Sequence, residues 1–413
     1  MKITPVKGTN DYLPKQAELR DYLQAKILQT YKSQGYTRIY TPIIEDAENL
    51  DKSDGGDNLN LIFKILKRGD KFTSALENKD YNNLADLGLR YDLTLPLTRF
   101  YSNNKAVLPS VFKCIQIDRV YRAERPQKGR DREFVQCDID ILGSDNPNCE
   151  VELIDTTATA LLNIGLSKFK IRINDRRILK QMLLSFGFLP EQLDSACITF
   201  DKMDKIGSNG IKAELTEKGF DNKAIEKLCY LVNSLPIDVD KLTEICGEMS
   251  EVEQLKYIIE SVKTLAEGKY GIEFDISLVR GQGYYTGAVF EIQSEEYSCS
   301  IGGGGRYDNL VGKFTGSSVP AVGFSIGFER IYSILNSKEY ALEGQNKKIA
   351  IIYDNDKFVE AMKFAKTLKG EYDTTLFEMP NKFGKLLNKL SEQGFKYYCN
   401  FTQSEEIKEL KSF

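Results

Sequence analysis

Two strand-like runs separated by a charged loop constrain this fold more than any other feature of the chain. β-branched and apolar residues recur from Val111 to Tyr121 and again from Phe134 to Leu142, which is typical of strands. The connection between them, Arg122–Arg132, is polar and rich in arginine. This order predicts a hairpin with a charged loop.

Helical patterns lie on both sides of this hairpin. Apolar residues at helical spacing predict a helix up to Gly35, with Leu19, Leu23, Ile27 and Tyr31 on one face. Residues 181–269 have helical periodicity and many charges, which indicates an insertion within one catalytic unit, residues 1–336. Further strand signals are Tyr36–Thr41, Phe274–Val279 and Ala288–Ile292, whereas Leu87–Arg99 mixes strand and turn signals around Pro96.

A polar stretch, Ser337–Lys348, precedes the last part of the chain, where the sequence pattern changes. Strand and helix patterns then alternate in the order Ile349–Tyr353, 356–369, Thr374–Phe377, 381–393 and Phe395–Tyr398. Such a β-α-β-α-β order predicts a small α/β domain with a parallel sheet over residues 346–413. The chain as a whole is therefore expected to be α/β, with an α+β catalytic core.

None of the 413 residues is histidine. This excludes Ser-His-Asp and Cys-His catalysis, histidine-ligated metals and imidazole general bases. The eight cysteines are scattered without a C-x-x-C motif, so neither a zinc site nor a disulfide framework is indicated. Any chemistry must use arginine, lysine, carboxylates, tyrosine, backbone amides or a bound metal ion.

Charge and hydropathy narrow the class of protein further. The 56 basic and 60 acidic residues leave a net charge of −4, which argues against a general nucleic-acid coat protein but not against a local basic surface. No run approaches the ~18 apolar residues of a membrane span, and the N-terminus lacks the apolar core of a signal peptide. A cytoplasmic protein with reduced thiols and no membrane association is expected.

Two segments could carry chemistry on residue type alone. Arginines in the hairpin loop suit a nucleoside triphosphate, because guanidinium groups bind phosphate oxygens in pairs, and Phe134 could stack on a base. A solvated charged turn is the alternative for such a loop. The glycine run 302–305 could let a ligand approach the backbone. A flexible hairpin turn is the favoured interpretation of a bare glycine run, and the phosphate-loop fingerprints are absent.

Several motifs taken together resemble the histidyl-tRNA synthetase family. They are Lys7–Pro14, Leu89–Pro96, Val120–Arg130, Arg132–Asp140, Leu278–Gly287 and Gly323–Arg330. The resemblance implies a class II synthetase core, in which helices flank an antiparallel sheet, and a homodimer. Tyr36–Pro42 and the helix before it would form that family's dimer-forming first motif.

The resemblance also implies roles for individual residues. The histidine-binding positions of the family fall on Asp92, Leu93, Thr94, Arg122, Gln136, Asp140, Arg280, Tyr284 and Tyr285. Arg122, Glu124, Arg130, Phe134 and Arg330 resemble the ATP-binding set. Oxygen acceptors suit an ammonium group, and a carboxylate with a tyrosine hydroxyl can read the two imidazole nitrogens.

The implied reaction is histidine–tRNA ligation, with ATP and Mg²⁺, on tRNA(His). The substrate carboxylate is already ionised, so no general base is needed, and Arg280 and Arg122 are the implied catalytic residues. Mg²⁺ would share the triphosphate charge, and no protein metal site is expected.

Two departures from the family leave an alternative open. Gln282-Gly283 replace the usual Leu-Asp, and the C-terminal domain is shorter than the family's anticodon-binding domain, ending without its final strand and helix. The alternative is a non-catalytic, histidine-binding regulatory subunit of ATP phosphoribosyltransferase in histidine biosynthesis. Retention of Arg122, Arg130, Arg280 and Arg330 favours the ligase, because a regulator needs no triphosphate clamp.

Overall fold

The structure, a computed structural model, describes residues 2–51, 61–126, 129–280, 283–338, 340 and 346–410. The chain divides into two compact units. The first unit comprises Met1–Tyr12 and Arg20–Lys338, and the second comprises Leu13–Leu19 and Glu339–Phe413.

The described residues form strands and helices throughout both units. The strands are β1 (Thr37–Arg38), β2 (Ile44–Asp46), β3 (Lys64–Leu66), β4 (Ala85–Leu89), β5 (Phe112–Tyr121), β6 (Glu133–Leu142), β7 (Phe169–Asp175), β8 (Gly271–Phe274), β9 (Ala288–Ser294), β10 (Gly302–Arg306), β11 (Ala321–Gly327), β12 (Lys347–Tyr353), β13 (Tyr372–Glu378), β14 (Tyr397–Asn400) and β15 (Ile407–Glu409). The helices are α1 (Pro14–Ser33), α2 (Ala47–Asp51), α3 (Asp70–Glu77), α4 (Thr94–Asn104), α5 (Asn148–Asn163), α6 (Arg176–Phe186), α7 (Leu193–Phe200), α8 (Met203–Glu217), α9 (Asn222–Asn233), α10 (Lys241–Cys246), α11 (Ser250–Ala266), α12 (Asp308–Thr315), α13 (Phe328–Asn336), α14 (Phe358–Thr367) and α15 (Phe383–Glu392). In the described ranges, no helix combines the length and the apolar character that crossing a membrane requires.

The large sheet of the first unit has eight strands in the order β1-β5-β6-β11-β10-β9-β7-β8. The six strands from β5 to β7 in this order pair antiparallel, and β1 and β8 are added in parallel at the two edges. Strands β5 and β6 pair along their whole length, which confirms the predicted hairpin. Helices α5, α11 and α13 pack on this sheet, so the expected antiparallel sheet with flanking helices is confirmed.

Helix α1 confirms the first helical prediction. Its residues Leu19, Leu23, Ile27 and Tyr31 are buried, as their spacing of four residues requires. Strand β1, which follows, is confined to two residues and is shorter than the predicted strand Tyr36–Thr41.

The glycine run is a strand, and its interpretation as a flexible turn is wrong. Residues Gly302–Arg306 form β10 in the middle of the large sheet, between β9 and β11. Glycine is unfavourable in a strand interior unless another group must approach the backbone. The run therefore points to a place where the sheet surface has to be bare.

The helical segment predicted at 181–269 is present as α6 to α11, beginning at Arg176. The Asp175 carboxylate accepts a hydrogen bond from the Arg177 backbone N–H at 2.8 Å, which caps α6. Gly187 ends α6 with a φ of 107°, a conformation that favours glycine.

Two further segments differ from their predicted form. The strand predicted at Phe274–Val279 is β8, which ends at Phe274, because the Asp275 carboxylate accepts from the Ser277 N–H at 2.9 Å and turns the chain. The mixed segment 87–99 separates into the end of β4 and the start of α4. Pro96 fits the first turn of α4, where no backbone donor is needed.

The second unit has a four-stranded sheet in the order β13-β12-β14-β15. Strands β12, β13 and β14 are parallel and alternate with α14 and α15, as predicted. Strand β15 pairs antiparallel with β14 and adds a short edge strand that the sequence pattern did not predict. The adjacent strands bury apolar residues such as Ile349, Ile351 and Cys399.

Candidate active site

A row of four polar residues and one glycine crosses one face of the large sheet. The strand register aligns Gln116, Asp138, Ser325, Gly303 and Glu291 on five neighbouring strands. Residues paired directly across strands lie on the same face of a sheet. Because burying polar groups is costly unless they have partners, this row marks the face as a candidate ligand site.

Three glycines keep this face open for close approach. A side-chain carbon at Gly303 would collide with the Arg280 guanidinium, and one at Gly305 would lie 2.8 Å from the Tyr285 ring. A side-chain carbon at Gly323 would collide with the Asp140 carboxylate. The glycines therefore form a floor on which Arg280, Tyr285 and Asp140 rest.

Arg280 is held over this floor in a strained conformation. Its φ of 61° lies in the left-handed region, which residues other than glycine rarely adopt. Its Nη1 donates to Glu291 Oε2 at 3.1 Å. Burial raises the pKa of the neighbouring Tyr285, whose hydroxyl stays protonated beside the guanidinium. Strain retained at one arginine with a fixed partner is a feature of functional sites.

Three carboxylates lie in the same pocket with very little exposure: Asp92 (3%), Asp138 (5%) and Asp140 (4%). Burial raises the pKa of Asp92 to about 6 and that of Asp140 to about 7. Burial and the Asp140 charge raise the pKa of Asp138 well above its ordinary value. A pocket with this many buried acids favours a cationic ligand.

We expect Asp140→Asn to stabilise the ligand-free protein at pH 8. The pKa of this carboxyl group is higher in the folded state, about 7 against 3.8, so its contribution to stability is full below pH 3.8 and is lost as the pH rises through 7. The neutral amide avoids that loss, which amounts to at most about 4 kcal/mol for a shift of about three pKa units. Urea unfolding of both proteins from pH 4 to pH 8 measures it. A difference in the free energy of unfolding that does not grow with pH would contradict the assignment.

The predicted tyrosines lie beside Asp140. The rings of Tyr284 and Tyr285 are 4.9 Å apart, and Tyr284 is 6.1 Å from the ring of Tyr307. The Tyr307 hydroxyl donates to Asp140 Oδ1 at 2.7 Å. Tyr307, which sequence reasoning missed, therefore orients the carboxylate assigned to the imidazole.

The residues at the start of α4 form another part of the pocket. Asp92 Oδ1 accepts from the Leu95 N–H at 3.2 Å, and the Leu93 carbonyl accepts from Gln116 Nε2 at 3.0 Å. The Thr94 hydroxyl is a hydrogen-bond partner of Tyr284. Helix α4 thus brings all three predicted positions to the pocket.

The predicted ATP-binding residues are only partly brought together. Arg122 Nε donates to the Tyr91 carbonyl at 3.1 Å, and its guanidinium lies 4.9 Å from the centre of the Phe134 ring. In the hairpin loop, Arg130 pairs with Glu124 at 3.2 Å. Arg330 on α13 donates to the Ser300 carbonyl. Within the parts of the chain that the structure describes, no hydrogen bond or ion pair joins these three groups to one another.

An ion pair from α1 supports the strand that carries Phe134. Glu329 Oε1 accepts from Arg20 Nη2 at 2.8 Å and from the Val135 N–H at 3.2 Å. The ring of Tyr12 covers the Arg20 guanidinium at 3.9 Å. The N-terminal helix and the helix that carries Arg330 are thus tied to β6.

Sequence reasoning missed Asp138, Glu291, Tyr307 and Glu329. Asp138 was detectable, because Gln136, Asp138 and Asp140 alternate with apolar residues and so share one face of β6. Glu291 interrupts an apolar strand, which is a weaker signal. Gln282, at which the chain departs from the family pattern, lies outside the described residues.

The described residues contain no group of three or more cysteine or carboxylate side chains that could hold a metal ion. A Mg²⁺ ion here would need oxygens from a bound phosphate ligand, as is common for this ion.

Sequence comparisons with known proteins all identify the same family. A sequence model of the histidyl-tRNA synthetase family matches residues 8–331. The histidine–tRNA ligase of Leifsonia xyli is 41% identical over 373 residues, which cover 85% of this chain and 84% of the relative. The histidine–tRNA ligase of Flavobacterium johnsoniae is 34% identical over 403 residues, covering 88% of this chain and 85% of the relative.

Solved structures have the same fold. The crystal structure of histidyl-tRNA synthetase from Nostoc sp. PCC 7120 matches with a TM-score of 0.80 and 25% identity, covering 99% of this chain and 97% of that one. An ATP phosphoribosyltransferase regulatory subunit/histidyl-tRNA synthetase from Bacillus halodurans matches with a TM-score of 0.77 and 21% identity, covering 94% and 97%. The second match supports the fold alone.

Proposed function

The chain belongs to the histidyl-tRNA synthetase family, and from this premise we propose that it activates histidine with ATP and transfers it to tRNA(His). The observation that carries the proposal is the pocket over the glycine strand. One side offers buried acids to a cationic amino acid, and Arg280 and Arg122 supply positive charge for a carboxylate and a phosphate.

Activation needs positioning more than proton transfer. An oxygen of the histidine carboxylate forms a bond to the α-phosphorus while the bond to the bridging oxygen of pyrophosphate breaks. The nucleophile is already ionised, which suits a chain without histidine. Arg280 and Arg122 stabilise the charge that gathers on the α-phosphate, as preorganised donors do in other enzymes.

Recognition of the amino acid uses the acidic side of the pocket. Asp92, Thr94 and Gln136 are assigned to the ammonium group, and Arg280 and Arg122 to the carboxylate. Asp140 and the tyrosines Tyr284 and Tyr285 are assigned to the imidazole, with Leu93 packed beside them. Reading a ring by hydrogen bonds rejects analogues more strongly than an apolar pocket does.

ATP is assigned to the hairpin loop and to α13. Arg122, Arg130 and Arg330 bind phosphates, Phe134 stacks on adenine, and Glu124 is the carboxylate in this set that could complete the shell of a Mg²⁺ ion. When bound, that ion would share the charge of the triphosphate.

The remaining proposals concern the partners of the chain. Residues 1–336 form the catalytic unit, and residues 346–413 form a shortened anticodon-binding-like domain that contacts tRNA(His) in the cytoplasm. A homodimer through the first motif is supported by two exposed apolar side chains, Tyr40 (69%) within the motif and Ile44 (51%) just after it in β2.

The regulatory-subunit alternative is less well supported. The curated relatives at 34–41% identity are named as ligases. Arg122 and Arg280 also remain beside the pocket, where a regulator has no triphosphate to hold.

Removal of residues 346–413 tests the tRNA part of the proposal. We expect pyrophosphate exchange to be largely kept and aminoacylation of tRNA(His) to fall, because the predicted catalytic residues all precede residue 331. Contacts between lysines and phosphates weaken with salt, so we expect the defect to shrink at low salt. Both assays are run side by side on the full and the shortened chain. Unchanged charging would exclude a role for the tail in tRNA binding, and loss of both activities would assign it to stability.

A further inference from the structure

Three acceptor oxygens in the pocket lack a hydrogen-bond partner among the residues that the structure describes. They are Asp92 Oδ2, Gln136 Oε1 and Asp138 Oδ1. All three atoms are buried, and a buried acceptor without a donor destabilises a protein. Such a cost is typical of a site whose missing partner is a ligand.

Ser325 fixes which ends of these side chains remain available. Gln136 Nε2 donates to Ser325 Oγ at 3.1 Å, and the Ser325 hydroxyl is a hydrogen-bond partner of Asp138. The nitrogen end of the Gln136 amide is therefore occupied. Its oxygen end and one oxygen of Asp138 remain free on the same face of β6.

We propose that Asp138 binds the ammonium group of the amino-acid substrate, together with Asp92 and Gln136. An ammonium group has three donors and no acceptor, which matches the three free oxygens in number and kind. The inference rests on the proposed function and adds a residue to it.

The charges around Asp138 favour the same ligand. Glu291 is paired with Arg280 at 3.1 Å, and Tyr307 occupies one oxygen of Asp140. The Arg122 guanidinium is then the positive charge that partly offsets the rise that burial causes in the pKa of both Asp92 and Asp138. One guanidinium against these carboxylates leaves a negative pocket, which an ammonium group partly neutralises.

Asp138→Asn tests the proposal, with three ligands that share the imidazole ring. Histidine and histidinol carry the ammonium group, and imidazolepropionate lacks it. We expect the dissociation constants of histidine and histidinol to rise about 10- to 100-fold, as for loss of a charged hydrogen-bond partner. The inhibition constant of imidazolepropionate and the KM for ATP should stay within about twofold of wild type.

Equal weakening of all three ligands would place Asp138 on the ring and overturn the proposal, as would unchanged histidine binding. Urea unfolding of the ligand-free variant checks that it is folded, and Asp138→Ser is measured in the same way if the amide variant is not. Wild-type protein without histidine-dependent exchange would instead overturn the proposed function itself.

Discussion

Replacing Arg280 with alanine should lower the rate of histidine-dependent pyrophosphate exchange by about 10²–10³. Removing one preorganised donor to a transition-state charge typically has this effect, equivalent to about 2.7–4 kcal/mol. Arg280 is fixed by Glu291 and lies against Gly303, so its guanidinium is already in place before a ligand binds. The chain also has no histidine that could supply the charge.

The backbone of Arg280 offers a matched control for this experiment. At a φ of 61°, Arg280→Gly removes the same guanidinium and relieves the strain, which costs roughly 1–2 kcal/mol for a residue with a side chain. Both variants should therefore lose activity alike, while the glycine variant unfolds at a higher urea concentration. Near-normal exchange in either variant would remove Arg280 from the mechanism.

Replacing Glu150 with alanine should cost up to about 3–5 kcal/mol of stability, the usual effect of removing one partner of a buried ion pair, because Arg306 would keep only its pair with Asp308 at 3.2 Å. Glu150 lies on α5, and its carboxylate accepts from Arg306 Nε at 2.6 Å and Arg306 Nη2 at 2.8 Å. Both residues are at most 5% exposed. Arg306 is the last residue of the glycine strand, so the pair anchors the floor of the site from the opposite face.

A double variant and a surface pair serve as controls for Glu150. Glu150→Leu combined with Arg306→Met should be less destabilised than Glu150→Ala alone, because both buried charges are removed and only the partly exposed Asp308 loses a partner. Glu260→Ala breaks an exposed pair with Lys263 and should change the free energy of unfolding by at most about 0.5 kcal/mol. Urea unfolding followed by circular dichroism measures all three. A loss at Glu150 no larger than that at Glu260 would contradict the structural role of the pair.

Local patterns predicted the elements of this fold more completely than its contacts. The hairpin of β5 and β6, helix α1, the helical insertion and the parallel strands of the second unit follow from periodicity and short-range turns. The glycine run was misinterpreted, because its place between β9 and β11 depends on pairing with distant strands. A run of glycines has no alternation of apolar and polar side chains from which a strand could be predicted.

In the candidate site, too, residues in local motifs were predicted and contacts between distant segments were not. Asp92, Gln136, Asp140 and Arg280 were found because they lie in recognisable motifs. Glu291 was missed because its contact with Arg280 depends on how the loop before β9 folds back over Gly303. Tyr307 was missed because its partner, Asp140, is 167 residues away in the sequence. Which acceptors stay free also depends on Ser325, which no local pattern connects with β6.

Pyrophosphate exchange with each of the twenty amino acids tests the central claim most directly. The wild-type protein, ATP, Mg²⁺ and labelled pyrophosphate are incubated with one amino acid at a time, and label entering ATP is measured. The account predicts exchange with histidine and background levels with the other nineteen. Histidine that binds in calorimetry but supports no exchange would contradict the account and indicate a histidine-binding regulator.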